Sequence, residues 1–196
     1  MRKLTFLTIT FITFFILGCT SEELTSARLY IQQKNWVKAE EFLIKALKVE
    51  PENPEIPYLL GRHIYSQRED WDKMNELFDR ALSIDSEKVI LLGGTVREYV
   101  EQTRYGHWSK IFNKGVASVK KYYEQGHKDG QITLKESIDL FETSVQIYPG
   151  EIQNYPILSR CYFEMGDSVR SIATVKKGAE ISPDNFNINL NAGQIL

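Results

Sequence analysis

Cysteine, histidine and net charge are all scarce in this chain. Two cysteines and three histidines in 196 residues cannot build a disulfide framework and leave little material for a metal site. His63, His107 and His127 show no i, i+4 pairing and no HExxH spacing, and the sequence contains no Cys-x-x-Cys and no GxSxG elbow. Gly93-Gly94 precedes no phosphate-loop lysine, and Cys161 falls among apolar residues at helical spacing, where it reads as a small buried hydrophobe. No catalytic residue, metal ligand or cofactor is expected, so the chain reads as a non-enzyme. The formal charge is −2, and no segment collects a block of like charges. Nothing supplies the basic field that phosphate binding needs, which excludes nucleic acid as an expected partner. Hydrophobic residues at 42% and charged residues at 26% are ordinary globular values and exclude both disorder and a multi-span membrane protein. The length fits one domain or a short repeat array.

The one long apolar run is at the start. Arg2 and Lys3 precede Leu4 to Leu17, which is broken only by threonines and followed by Gly18-Cys19. A basic start, a short apolar stretch and a small residue describe a secretory signal over residues 1–18. The run is shorter than the roughly 20 residues of a spanning helix. Ile16-Leu17-Gly18-Cys19 resembles the lipobox of bacterial lipoproteins, which implies cleavage before Cys19 and its lipidation. Loss of Arg2 and Lys3 takes the formal charge from −2 to −4. The resemblance, with Thr20 rather than aspartate after the cysteine, places the mature chain in the cell envelope, on the outer membrane facing the periplasm. Thr20-x-x-Glu23 reads as a capping box that starts a helix almost directly after the lipid.

Sliding the chain against itself reveals a repeat. Lys45-Ala46-Leu47 returns as Arg80-Ala81-Leu82 and Trp36 as Trp71, at a spacing of 35; Pro149 returns as Pro183, at 34. Apolar residues between these anchors follow helical spacing, as in Ala39, Leu43, Ala46 and Leu47. Pro51, Asn53-Pro54, Pro149-Gly150 and Ser182-Pro183 punctuate the ends of successive helix pairs. One period is one helical hairpin.

This pattern resembles the tetratricopeptide repeat (TPR) family. Ala27, Tyr30, Trp36, Ala39, Leu43, Ala46 and Pro51 fall on its small, aromatic and proline positions. Gly61, Ile64, Trp71, Met74, Phe78 and Ala81 follow the same scheme with one extra residue in the turn between the helices. Ser159, Tyr162, Gly166, Ser171, Val175, Gly178 and Pro183 keep register without insertion. The resemblance implies an all-α fold, a right-handed α-α superhelix of about five repeats over residues 19–196. The repeats are read as 20–53, 54–88, 89–107, 108–151 and 152–185, with a final lone helix over 186–196. Gly93-Gly94 would cost about 1 kcal/mol per glycine inside a helix, so the helix of the third repeat is expected to start after them.

In this family the first helices of successive repeats line a groove, and the residue after the small position points into it. That position holds Arg28, Arg62, Arg97 and Arg160, with Val116 in the divergent fourth repeat; Tyr58, Tyr65, Glu101, Phe163 and Glu164 fall beside it. Guanidinium forks bind carboxylates in bidentate fashion and stack on rings, so such a stripe suits an extended peptide with acidic groups or a free C-terminus. The competing reading pairs each arginine with an acid of the adjoining helix and gives it no ligand. The functional expectation is a membrane-anchored scaffold or adaptor for a protein or peptide partner in the envelope. The alternatives are a non-catalytic module of a longer envelope protein and a self-associating structural lipoprotein.

Overall fold

The computed structural model describes residues 20–90, 93–125 and 130–184; the apolar leader, Cys19, His127 and the helix expected over 186–196 lie outside them. The described chain is helical apart from one short strand pair. Its helices are α1 (Glu22–Gln32), α2 (Trp36–Val49), α3 (Glu55–Leu60, continuing through Gly61–Tyr65 and Ser66–Arg68), α4 (Trp71–Asp85), α5 (Val96–Gln125), α6 (Gln131–Ile147), α7 (Asn154–Glu164) and α8 (Ser168–Ile181). Two compact units divide between Val96 and Arg97.

Three hairpins, α1–α2, α3–α4 and α7–α8, turn in the same way. A left-handed residue, Lys34, Glu69 or Gly166, is followed by Asn35, Asp70 or Asp167, whose side chain accepts the N–H three residues on, at Lys38, Lys73 or Arg170. The backbone N–H of each cap residue donates back to the carbonyl of Tyr30, Tyr65 or Tyr162. A left-handed residue reverses the chain, and the Asn/Asp after it caps the first orphan donors of the next helix.

The hairpin interiors follow the small–large logic of the repeat. Ala27, Ala39, Leu43, Ala46, Met74, Phe78 and Ala81 are fully buried. A Cβ on Gly61 would stand 2.6 Å from Cε1 of Phe78, and one on Gly115 would stand 2.8 Å from Cζ of Phe141. In α7–α8 serines take the small position: Ser159 Oγ donates to the Ser171 carbonyl at 3.0 Å and Ser171 Oγ donates to the Ser159 carbonyl at 2.9 Å. Two helices cross here at hydrogen-bonding distance, which a larger side chain would prevent.

The structure departs from the sequence reading at four places. Ser21, not Thr20, caps α1, its side chain accepting the Leu24 N–H at 3.2 Å. The extra residue of the second repeat is inside the helix rather than in the turn. Ala27 and Tyr30 are three apart, Gly61 and Tyr65 four apart, and Gly61–Tyr65 forms one π-helical turn, the way a helix absorbs a single insertion. Val89–Ile90 pairs antiparallel with Gly94–Thr95, with Gly93 at φ 95°, a strand pair that the helical reading did not include, while α5 starts beyond the glycines as expected.

The fourth departure is the largest. α5 runs unbroken for 30 residues, about 45 Å at 1.5 Å per residue, across the 107/108 position where the sequence reading separates two repeats. Gly106 is followed by His107, which has no side-chain oxygen to cap a new helix. One interior glycine costs only about 1 kcal/mol, and buried Trp108 is tied down by Asn154. Around α5, α6 and α7 the second unit closes over Tyr122, Leu134, Ile138, Phe141, Leu158, Cys161 and Tyr162.

Candidate functional site

In the first unit the groove candidates sit on α1 and α3, and they do different things. Arg28 of α1 grips Glu55 at the start of α3 with both arms of its fork, Nε to Oε1 at 2.8 Å and Nη2 to Oε2 at 2.5 Å. Glu55 is 4% exposed, so this guanidinium answers a buried carboxylate. Breaking such a pair is far costlier than breaking an exposed one. One turn further along α3, Tyr58 and Arg62 come together. The Arg62 Nη1 donates to the Tyr58 hydroxyl, and its guanidinium carbon lies 5.8 Å from the Tyr58 ring centroid. No carboxylate lies within ion-pair distance of Arg62 among the described residues.

Tyr65, the last residue of the π turn, lies under Arg68, whose guanidinium is 5.7 Å from the ring centroid. Arg68 in turn holds Glu40 of α2 through two bonds of 2.8 and 2.6 Å. His63 stacks on Trp36 with ring centroids 6.1 Å apart and planes 10° from parallel. Glu55, Glu40, Arg68 and Trp36 are the members sequence reasoning missed. The first three are long-range ion-pair partners, and Trp36 read only as a repeat landmark.

Burial, with the Arg62 charge beside it, holds His63 down at about 4 against an ordinary 6.5. The unfolded chain therefore takes up a proton on this ring near pH 6.5 while the folded chain stays neutral until about 4. Stability from this group is complete above 6.5 and falls as pH drops through that window. Unfolding free energies from urea titrations at pH 7 and pH 4.5 should differ by about 1–2 kcal/mol more in the parent than in His63→Phe, a span reduced for the ring's partial exposure. Equal pH dependence in the two proteins would contradict this.

In the second unit Arg160, Phe163 and Glu164 of α7 form one cluster. Arg160 pairs with Glu164, Nη2 to Oε1 at 2.6 Å, and its guanidinium lies 5.9 Å from the Phe163 ring centroid. Arg160 also donates to the Tyr123 hydroxyl of α5, and Tyr123 and Phe163 are 48% and 45% exposed. Glu101 stands apart on α5, accepting a bond from the Tyr148 hydroxyl. Burial and that carboxylate push Tyr148 up to about 12. Arg97 is exposed on the first turn of α5, and Val116 is exposed further along it. Among the nine candidates, Tyr58 contacts Arg62 in the first unit and Arg160 contacts Phe163 and Glu164 in the second, while Arg28, Tyr65 and Glu101 meet Glu55, Arg68 and Tyr148.

Cys161 is 2% exposed, and burial together with the Glu164 charge pushes its thiol up to about 12; it is a packed hydrophobe with no thiolate to offer. Among the described residues no three of His, Cys, Asp and Glu are grouped to hold a metal ion. No described helix is long and apolar enough to cross a membrane. What the site offers is guanidinium forks, phenol rings and partly exposed aromatic faces, which is recognition chemistry.

No protein-family model matches the chain, and no curated protein matches it. Solved structures do. MamA 41-end from Desulfovibrio magneticus RS-1 is 15% identical over 90% of this chain and 85% of that one, with a TM-score of 0.36. YrrB, described as a TPR protein with an unusual peptide-binding site, is 14% identical over 90% of this chain and 92% of that one, with a TM-score of 0.37. The TPR2AB domain of yeast Sti1, in complex with pHSP90, is 11% identical over 92% of this chain and 71% of that one, with a TM-score of 0.36. These superpositions are loose. The assignment of an all-α, tetratricopeptide-like fold rests on the recurrent turn and the close helix approaches of this chain itself.

Proposed function

We propose that this chain is a non-catalytic adaptor of the bacterial cell envelope, tethered by lipid on Cys19, that holds a protein or extended peptide against its first-helix faces. The observation that carries the binding reading is Arg62: a half-buried guanidinium seated on a phenol ring, with no carboxylate partner among the described residues. A desolvated, preorganised fork of that kind is suited to a carboxylate supplied by a ligand. Within the second unit, exposed Tyr123 and Phe163 around Arg160 form an aromatic surface of their own, of the type that anchors interfaces. The tether is supported by Ile16-Leu17-Gly18-Cys19 and by a capped helix that begins at Glu22, three residues after the cysteine. Attachment to the outer membrane, facing the periplasm, belongs to the same proposal.

Arg62→Ala is the substitution that tests binding. It should weaken capture of the partner by about tenfold or more, as loss of a desolvated anchor does, while leaving helical content unchanged. Arg28→Ala is no substitute, because it strands Glu55 and lowers stability whatever the protein binds. Cys19→Ser should move the protein from the membrane pellet to the soluble fraction. Unchanged capture by the Arg62 variant, or unchanged sedimentation of the Cys19 variant, would each remove the corresponding half of the proposal.

A further inference from the structure

The outer face of α5, in the second unit, carries an unbalanced charge. From Gln102 to Tyr123 the helix contains no aspartate or glutamate. Lys110, Lys114, Ala117 and Lys121 follow one another at i, i+4, i+7 and i+11, the spacing of a single helical stripe, and all four are exposed. The stripe is about 16 Å long at 1.5 Å per residue. No run of like charges announces it, because these lysines stand four and seven positions apart; the unbroken helix gathers them.

The charges around the stripe do not cancel it. Lys120, beside it, has Glu124 at 3.8 Å, and Arg160 of α7 is taken by Glu164 at 2.6 Å, so each of these pairs is neutral. Glu136 and Asp139 of α6 are exposed, and neither forms an ion pair with α5. Among the described residues no carboxylate lies within ion-pair distance of Lys110, Lys114 or Lys121. Three positive charges therefore stand in line on a chain whose formal charge is −2.

Shape and side-chain chemistry select what this face can meet. It is the convex outside of one helix, kept low between the lysines by exposed Asn113 and Ala117, and it has no walls to grip a peptide. Lysine ammonium groups are point charges on flexible stems, without the planar fork that suits a single carboxylate. A row of them on a convex face matches a flat field of phosphates.

We propose that the α5 stripe lays the second unit against an anionic bilayer surface, with Lys110, Lys114 and Lys121 among the lipid phosphates. Each lysine at such a surface contributes about fivefold in affinity, and the attraction fades over a Debye length of about 10 Å at 0.1 M salt. The stripe shares no residue with Arg62 or Cys19, so it holds or fails apart from the function proposed above.

The test places a photoreactive residue at position 117 of the full chain and mixes it with vesicles of phosphatidylcholine, alone or with phosphatidylglycerol. A lipid adduct is expected with the anionic vesicles at about tenfold or more the yield on neutral ones, falling to the neutral level as salt is raised. Lys110→Gln, Lys114→Gln and Lys121→Gln together should remove that excess, and arginine at the same three positions should keep it. Circular dichroism on both variants confirms that the helices remain. Arg62→Ala should leave the adduct unchanged, and co-sedimentation with neutral vesicles reports the N-terminal attachment by itself. Equal adduct yields on the two kinds of vesicle, or an excess that survives the glutamine variant, overturns the proposal. So does a protein adduct in place of the lipid adduct when the same chain is crosslinked in the cell envelope, which assigns the stripe to an acidic partner protein.

Discussion

Asn154→Ala is expected to lower the unfolding free energy by about 3–5 kcal/mol, enough to unfold a marginally stable unit. Asn154 is fully buried at the first residue of α7. Its Oδ1 accepts the Trp108 indole N–H at 2.9 Å and the Ser144 hydroxyl at 2.7 Å. Its Nδ2 donates to the carbonyls of Glu151 at 3.1 Å and Tyr148 at 3.4 Å. One amide thus satisfies α5, α6 and the loop before α7 together. Alanine leaves an indole and a hydroxyl buried without their acceptor, each costing about 1–3 kcal/mol, and opens a small void besides. Because the network is complete, its members reinforce one another, and the loss should exceed that of any single exposed bond. Urea unfolding followed by tryptophan fluorescence gives the number; a change under about 1 kcal/mol would mean that the hub is decorative. Asn154→Asp, whose second oxygen would face the Glu151 and Tyr148 carbonyls with no cation beside it, should destabilise at least as much as alanine.

The second large effect belongs to Gly61. Alanine there gains up to about 1 kcal/mol of helix propensity, yet its Cβ must occupy space 2.6 Å from Phe78 Cε1 and 3.2 Å from the Met74 carbonyl. Phe78 is fully buried and has nowhere to swing, so overpacking of about 1–3 kcal/mol dominates. Gly61→Ala should therefore destabilise, the reverse of what propensity predicts. Gly61→Ala with Phe78→Leu should recover part of the loss, since the smaller side chain vacates the ring edge. A stabilised single variant would show that α3 and α4 do not approach as closely as described.

What the sequence made legible was whatever a residue's size or local geometry decides by itself. Small residues at Ala27, Ala39, Ala46, Gly61 and Ser159 mark helix contacts because only small volumes fit there, and each is buried as its position in the repeat requires. Proline-marked ends and helical spacing are likewise local signals. What stayed illegible depends on partners far away in the chain. The continuity of α5 past Gly106 is secured by the bond between Trp108 and Asn154, 46 positions apart, and no local pattern announces it. An inserted residue near Gly61 can lengthen a turn or widen a helix, and counting cannot choose between them; the helix takes it because the Lys34-Asn35 and Glu69-Asp70 turns are alike.

The arginine stripe shows the same division at the candidate site. Four residues share a position in the repeat, but they differ in fate. Arg28 is committed to Glu55, 27 positions away, and Arg160 to Glu164, one helical turn away. The α7 pair was readable at i, i+4 spacing; the α1–α3 pair required the fold. Arg62 sits in the π turn, directly beside the neutral His63, and faces a phenol instead of an acid.

Site-specific photocrosslinking from Tyr65, in the envelope of cells making the full chain, tests the adaptor reading most directly. One ring position from Arg68 and within the same helix as Arg62, a photoreactive group there should yield a discrete adduct with a partner protein, diminished by Arg62→Ala at equal expression. An adduct of the same yield in the Arg62 variant, or none at all in the parent, would contradict it.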